Sequence, residues 1–274
     1  MSKYKPQIAI IIPTILRDDL LMQTINSIVD VWEDDWKVFI IDQNLPETYS
    51  EEKRIFYETA CSDFHNLDEQ RIQVIRMPFD AGISACRNKG VEYASRLRIP
   101  YCFIGADSIK FDESMKNLIK LKHYMPKFDI IGCDISNRIG WEGKLKLYKE
   151  SHFEIDFIDT KKCKECAKGK LVIFKCDIVR NFFLARTNAL TKIRWDFNLK
   201  CMEHEDFFIR FKWSNHKVGC TKYCKGEYIG EESKRDNSEY ARLRRRNMDV
   251  CRQKLMEKYK LKKWIAYKNL ERVK

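Results

Sequence analysis

Over the first 104 residues, short apolar runs alternate with stretches of helical periodicity, and few architectures accept that alternation. Gln7 to Pro13, built on Ile8-Ala9-Ile10-Ile11-Ile12, is too short and too β-branched for a helix. It reads as a buried strand stopped at Pro13-Thr14. From Asp18 to Trp32 the residues Leu20, Leu21, Thr24, Ile25, Ile28, Val29 and Trp32 recur at helical spacing. Lys37 to Ile41 is a second strand, ended by Asp42. Ser50 to Gln70 is polar and reads as helical, Ile72 to Arg76 as a third strand, and Ser84 to Arg98 as a third helix. Tyr101 to Ile104 is a fourth strand, followed by Gly105-Ala106-Asp107-Ser108. Right-handed crossovers between such strands give a parallel sheet, so the expected fold is open α/β with ligands at the carboxyl ends of the strands.

At 274 residues, 44% hydrophobic and 12% aromatic, the chain can bury a sizeable core in one large or two small domains. Its first apolar run is five residues long, too short for a signal-peptide core, and no stretch approaches the roughly 18 apolar residues of a membrane span. With 11 cysteines, an odd number, the expectation is a cytoplasmic chain with reduced thiols. Charge is concentrated at the end: Lys234 to Lys274 holds 15 Lys plus Arg against 5 Asp plus Glu, which is +10 of the whole chain's +12. That contrast divides residues 1–233 from a basic amphipathic helical tail at 234–274, carrying Tyr240, Leu243, Met248, Cys251, Leu255, Tyr259 and Leu261, then Trp264, Ile265 and Tyr267. The tail has three readings: a helix packed on the body, a surface resting on anionic lipid as a peripheral membrane contact, or a nucleic-acid arm. Aromatics beside lysines suit a membrane interface. The only compact basic run is Arg244-Arg245-Arg246 on a nearly neutral body, which argues against nucleic acid.

Thr14, Asp42, Asp80 and Asp107 all fall just after strand ends. Singly, each is an ordinary turn or N-cap residue; four together mark a candidate site. Asp42 and Asn44 suit a nucleobase edge. The run Asp80-Ala81-Gly82-Ile83-Ser84-Ala85-Cys86-Arg87-Asn88 supplies a tight turn, a helix start and an arginine for a ribose or diphosphate. No Gly-x-Gly-x-x-Gly or Walker loop occurs. Farther on, Glu203-His204-Glu205-Asp206-Phe207-Phe208-Ile209-Arg210 reads as the head of a helix. Phe207 and Phe208 are expected to pack inward while Glu205, Asp206 and Arg210 face a cleft, although acids also favour helix N-termini through the dipole alone. Lys144 to Tyr148 and His152 to Phe157 alternate like half-buried strands. Cys163 and Cys166, with Cys176 and His152, or Cys220 with Cys224, match no standard finger spacing, so structural zinc is disfavoured against incidental thiols.

The series Pro13-Thr14, Asp42, Asp80 to Asn88, Phe103-Ile104-Gly105-Ala106-Asp107 and Glu205-Asp206 resembles a family 2-type glycosyltransferase with the GT-A fold. Asn181-Phe182-Phe183-Leu184-Ala185-Arg186-Thr187, with Trp195-Asp196 and Glu203 to Phe208, is similar to the catalytic region of the ganglioside and Sda-type β1,4-N-acetylgalactosaminyltransferases. The likeness covers roughly residues 7 to 225. It implies a Rossmann-like nucleotide-diphospho-sugar transferase sheet flanked by helices, with a donor half at about 1–135 and an acceptor half at about 136–233. It also implies a UDP-sugar donor whose hexose or N-acetylhexosamine passes with inversion to a hydroxyl of a glycan or lipid-linked saccharide. By the resemblance, Pro13, Thr14, Asp42, Asn44, Asp80 and Arg87 lie along the nucleotide, with Asp42 toward the uracil. Asp107 matches the last acid of the family's Asp-x-Asp motif, which holds Mn²⁺ or Mg²⁺. Gly105 and Ala106 stand at the preceding positions, so one expected carboxylate is missing and the oxygen set is thin. Asp206 is implied as the base and Glu205 as a sugar contact. Their mutual repulsion would raise one pKa. His204 is either a metal ligand or a hydrogen-bonding partner, and Arg186 and Arg210 are candidate cations for the departing diphosphate, each weighed against an internal ion pair. Trp141 and Trp195 are either sugar platforms or core. Two other classes remain open: a catalytically lapsed nucleic-acid-binding protein, and a nucleotidyltransferase, which would want paired carboxylates for two metals.

Overall fold

The computed structural model describes residues 5–59, 71–137, 142–148, 152–157, 170–230, 238–245 and 247–268. Its first strand, β1 (Ile8–Thr14), is buried at every position, as a strand covered by helices on both faces must be. Helix α1 (Asp18–Asp30) turns Leu21, Ile25 and Ile28 onto the sheet and leads to β2 (Trp36–Asp42), parallel to β1. Helix α2 (Glu51–Thr59) covers part of the predicted Ser50–Gln70 helix, whose remainder lies outside the described residues. Strand β3 (Ile72–Arg76) extends the sheet beyond β2. Helix α3 (Ile83–Arg96) then carries the chain back across to β4 (Tyr101–Ile104) on the other side of β1. Strand order therefore reverses between β1 and β4. In open α/β sheets such a switch point opens a crevice at the carboxyl ends of the strands, where Thr14 and Asp107 stand.

Beyond β4 the sheet is mixed. Strand β5 (Ile109–Phe111) and helix α4 (Leu118–Leu121) precede β6 (Ile130–Ile135). The period-two stretches form strands as predicted, β7 (Gly143–Tyr148) and β8 (His152–Phe157), and these pair antiparallel. Strand β9 (Phe174–Cys176) pairs with β11, while β10 (Phe183–Arg186) inserts antiparallel between β4 and β6. Helix α5 (Thr187–Lys192) follows, then α6 (Glu203–Trp213) and the long strand β11 (Val218–Tyr228). The large sheet runs β3-β2-β1-β4-β10-β6-β11-β5 among the described residues.

The basic C-terminal stretch packs on this body. Helices α7 (Glu239–Arg245) and α8 (Met248–Lys258) are followed by β12 (Lys263–Lys268), which lies parallel to β8 as the third strand of the small sheet. Cys251 and Leu255 of α8 bury against Leu199 and Cys201, so the apolar face of the helix is spent on the protein itself. Among the described residues no helix is long and apolar enough to cross a membrane. Of the cysteines weighed for zinc, Cys163 and Cys166 lie outside the described residues, while Cys176, Cys220 and Cys224 are buried free thiols of the sheet, as is Cys133. Burial, with Cys220 against Cys176 and Cys224 against Cys133, raises the Cys176 and Cys133 thiols well above their ordinary range.

Candidate active site

The crevice at the switch point is a small open cleft lined by Pro13, Thr14, Ile15, Arg17, Gln43, Asp80, Gly82, Ile83 and Asp107. Four of the strand-end residues read from the sequence, Pro13, Thr14, Asp80 and Asp107, thus come together, and sequence reasoning missed Arg17 and Gln43. Gly82 adopts φ +94°, which strains any L side chain, and its N–H donates to Gln43 Oε1 at 2.8 Å. That bond ties the loop after β3 to the end of β2. Asp80, in the left-handed region at φ 53°, accepts from Lys200 Nζ at 2.6 Å.

Asp42 and Asn44 flank Gln43 but are not among the residues lining the cleft. Asp42 is fully buried and takes Lys53 Nζ at 2.9 Å, the Tyr57 hydroxyl at 2.9 Å and the Asn44 N–H at 2.9 Å. Asn44 accepts from the Leu16 N–H at 2.7 Å and donates to Asp18, which also holds Lys53. The sequence aims both at a nucleobase. In the structure they are the frame that sets the loop between β1 and α1.

Arg87, from the second turn of α3, is buried and donates to Glu203 Oε1 at 2.8 Å, with its guanidinium 5.5 Å from the Trp195 ring centroid. The Asn181 amide, turned with its oxygen toward Arg87, accepts from that guanidinium at 3.0 Å. Through its first residue the Asn181 to Thr187 stretch thus meets Arg87. Arg186 does not. Because β10 runs antiparallel to β4, Phe183 sits beside Ile104 at the cleft end while Arg186 pairs with Tyr101 at the opposite end, where its Nε donates to the Met125 carbonyl at 2.9 Å. Its placement at a diphosphate is corrected by the reversed strand.

Helix α6 is formed as predicted, with Phe207 and Phe208 wholly buried. The Phe207 ring stacks on Trp195 at 4.3 Å, which makes Trp195 a core residue and not a sugar platform. Trp141 lies outside the described residues. The expected cleft-facing Asp206 is corrected as well. Its carboxylate is fully buried, taking Arg210 on Oδ2 at 2.8 Å and both Tyr259 (2.7 Å) and Lys258 (2.7 Å) on Oδ1. Arg210 is thereby an internal partner of Asp206 one turn away. Burial, then Asp206, hold the Tyr259 phenol far above its usual range, so it keeps its proton and donates. Nothing in the sequence pairs Asp206 with residues more than fifty positions later.

His204 is buried with its ring 5.1 Å from that of Phe208. Burial, then repulsion from Arg87 and Arg180, lowers its pKa from 6.5 to about 3, so it is neutral. The folded pKa lies below the unfolded one, so the unfolded chain takes the proton first as pH falls. The stability is complete above about pH 6.5 and drains toward pH 3 at about 1.4 kcal/mol per pH unit. Urea titrations from pH 7 to 4.5 are expected to show that slope in the parent and a flatter one in His204→Phe.

A divalent cation fits poorly here. Asp107, wholly buried, is engaged by Arg17 through Nε (3.2 Å, to Oδ2) and through NH2. Burial pushes the Asp107 carboxyl above the usual carboxylate range, and Arg17 is the main group that opposes it. A Cβ added at Gly105 would stand 2.6 Å from Ile12 Cδ1, the end of a flexible side chain, so a larger residue there requires Ile12 to shift. Among the described residues no group of three or more His, Cys, Asp or Glu is arranged to hold a metal ion, His204 included.

Residues 9–122 match the profile of Glycosyl transferase family 2. No curated protein matches the sequence significantly. Among solved structures, residues 1–349 of TarS from S. aureus superpose with a TM-score of 0.53 at 12% identity, over 81% of this chain and 60% of that one. The same fragment in complex with UDP gives 0.50 at 12% identity, over 80% and 60%. GalNAc-T7 with UDP, GalNAc and Mn²⁺ gives 0.57 at 10% identity, over 84% of this chain and 45% of that one. The chain thus spans 60% or less of the length of these proteins. The sheet order, the crevice between β1 and β4 and these superpositions agree: the chain has the GT-A fold, and residues 9–122 of it are similar to Glycosyl transferase family 2.

Proposed function

We propose that the protein is a glycosyltransferase that moves a hexose or N-acetylhexosamine from a UDP-sugar, with inversion, to a hydroxyl of a glycan or lipid-linked saccharide. The observation that carries this reading is the switch-point cleft, walled by Thr14, Arg17, Asp80, Gly82 and Asp107, with Arg87 of the helix that Gly82 and Ile83 open bonded to Glu203 at the acid-rich head of α6. Nucleotide and diphosphate belong at the strand ends. The base belongs at the helix head.

Among the head acids, Asp206 is committed to Arg210, Lys258 and Tyr259, and we assign it to anchoring the C-terminal helix. The base falls to Glu203, in the first turn of α6, whose Oε1 is steadied by Arg87. The acceptor oxygen attacks the anomeric carbon from the face opposite the diphosphate and gives its proton to the Glu203 carboxylate. The anomeric C–O bond breaks with its electron pair leaving on UDP. Glu205, buried in the same turn, keeps its sugar-contact role in this scheme.

A thermal-shift panel with UDP, GDP, CMP and RNA tests the reading. UDP at about 100 times its Kd is expected to add about 2.7 kcal/mol and raise Tm by roughly 5 °C or more. Stabilisation by RNA alone would replace it with the nucleic-acid alternative.

A further inference from the structure

We propose that Arg17 takes the place of a divalent cation at the donor diphosphate, so that this chain binds UDP and stabilises its departure without metal. The inference rests on the UDP-sugar reading above. Its ground is the pairing of Arg17 with Asp107, the one carboxylate left where a metal would be held. The guanidinium already occupies the cation position against that carboxylate and lines the same cleft. It has five N–H donors, and two of its nitrogens are spent on Asp107, which leaves donors for phosphate oxygens.

Three further features hold it there. Leu16 adopts the left-handed region at φ 55°, a costly conformation for a leucine, and its N–H is fixed by Asn44 Oδ1 at 2.7 Å. That twist delivers Arg17 to the cleft from the head of α1. The Tyr240 ring of α7 also lies under the guanidinium, with its centroid 3.9 Å from the Arg17 Cζ. Finally, glycine stands where a second acid is expected, so a metal would have to displace Arg17 from the one carboxylate present and then find its remaining ligands among phosphates and water. In the transfer step the anomeric C–O bond breaks toward the diphosphate, and the fixed positive charge of Arg17 meets the electron pair as it settles on the β-phosphate oxygen. The charge needs no ion to bring it.

Calorimetric titration of UDP into the full chain, once in EDTA and once in excess Mn²⁺, decides the matter. The expected result is a Kd that agrees within about threefold between the two buffers, and in EDTA a loss of at least about tenfold for Arg17→Ala with a smaller loss for Arg17→Lys. The parent measurements need no variant, so they stand even if Arg17→Ala leaves Asp107 too poorly compensated to fold. A parent affinity that rises tenfold or more with Mn²⁺ overturns the proposal and leaves the UDP reading in place. So does a folded Arg17→Ala variant that binds UDP as the parent does in EDTA. No UDP binding in either buffer removes the donor reading and this assignment with it.

Discussion

Glu203→Gln is expected to lower the rate of sugar transfer by about three orders of magnitude, the range lost when a positioned general base is removed, while UDP binding stays within about threefold. Glutamine keeps the side-chain oxygen that accepts from Arg87 at 2.8 Å, so the loop and helix geometry should survive. What it loses is the negative charge that can take a proton. Arg87 is 4% exposed and would lose its charge partner, so some stability must go too, and Tm should be read alongside turnover. A fall in kcat with Kd for UDP and fold intact is the signature of a group used in the transition state. Turnover near the parent level in a folded Glu203→Gln would move the base to another acid of α6, with Glu205 next in line.

The parallel half of the fold is legible in the sequence because its strands are buried on both faces and therefore continuous in apolar residues. Tyr101 to Ile104 is found at its predicted bounds for that reason, Ile72 to Arg76 at its own although it is a half-buried strand at the end of the strand order, and Pro13, Thr14, Asp80 and Asp107 converge because parallel strands put all their carboxyl ends on one side. What was not legible depends on contacts between distant segments. Arg186 reads as a site residue only if β10 runs with its neighbours, and no local signal reveals that it runs against them. Asp206 is on the expected helix, one turn from Arg210, yet its orientation is set by Lys258 and Tyr259, which arrive from a stretch that composition marks only as basic. Arg17 carried a faint signal, a cation between a polar strand end and a helix start, three residues beyond Thr14. Its importance emerges only beside Asp107, ninety positions on. Trp264 to Tyr267, which composition marks only as part of the basic tail, lie within a strand added beside β8.

Asp206→Asn separates anchoring from catalysis, and its expected effect is on stability. The carboxylate accepts from Arg210 on one oxygen and from Tyr259 and Lys258 on the other, all within 2.7 to 2.8 Å. An amide presents one acceptor and one donor, so one of the two sides must meet N–H instead of oxygen, and both cations lose their counter-charge. Breaking a wholly buried pair costs about 3–5 kcal/mol. Here Arg210 and Lys258 are 27% and 36% exposed and recover part of that in water, so about 2 kcal/mol is the expected loss, or roughly 4–8 °C in Tm. Because Tyr259 and Lys258 end α8, amide exchange should quicken over Met248 to Leu261 before it does in β1 or β2. Tyr259→Phe removes one neutral donor and should cost about 1 kcal/mol, following the same exchange pattern more weakly. Binding of UDP should be unchanged in both, since neither residue lines the cleft. If Asp206→Asn instead keeps its Tm and the protection of α8 while transfer collapses, the carboxylate is available to the acceptor and the base returns from Glu203 to Asp206. Lys258 and Tyr259 would then be what an acceptor hydroxyl must displace.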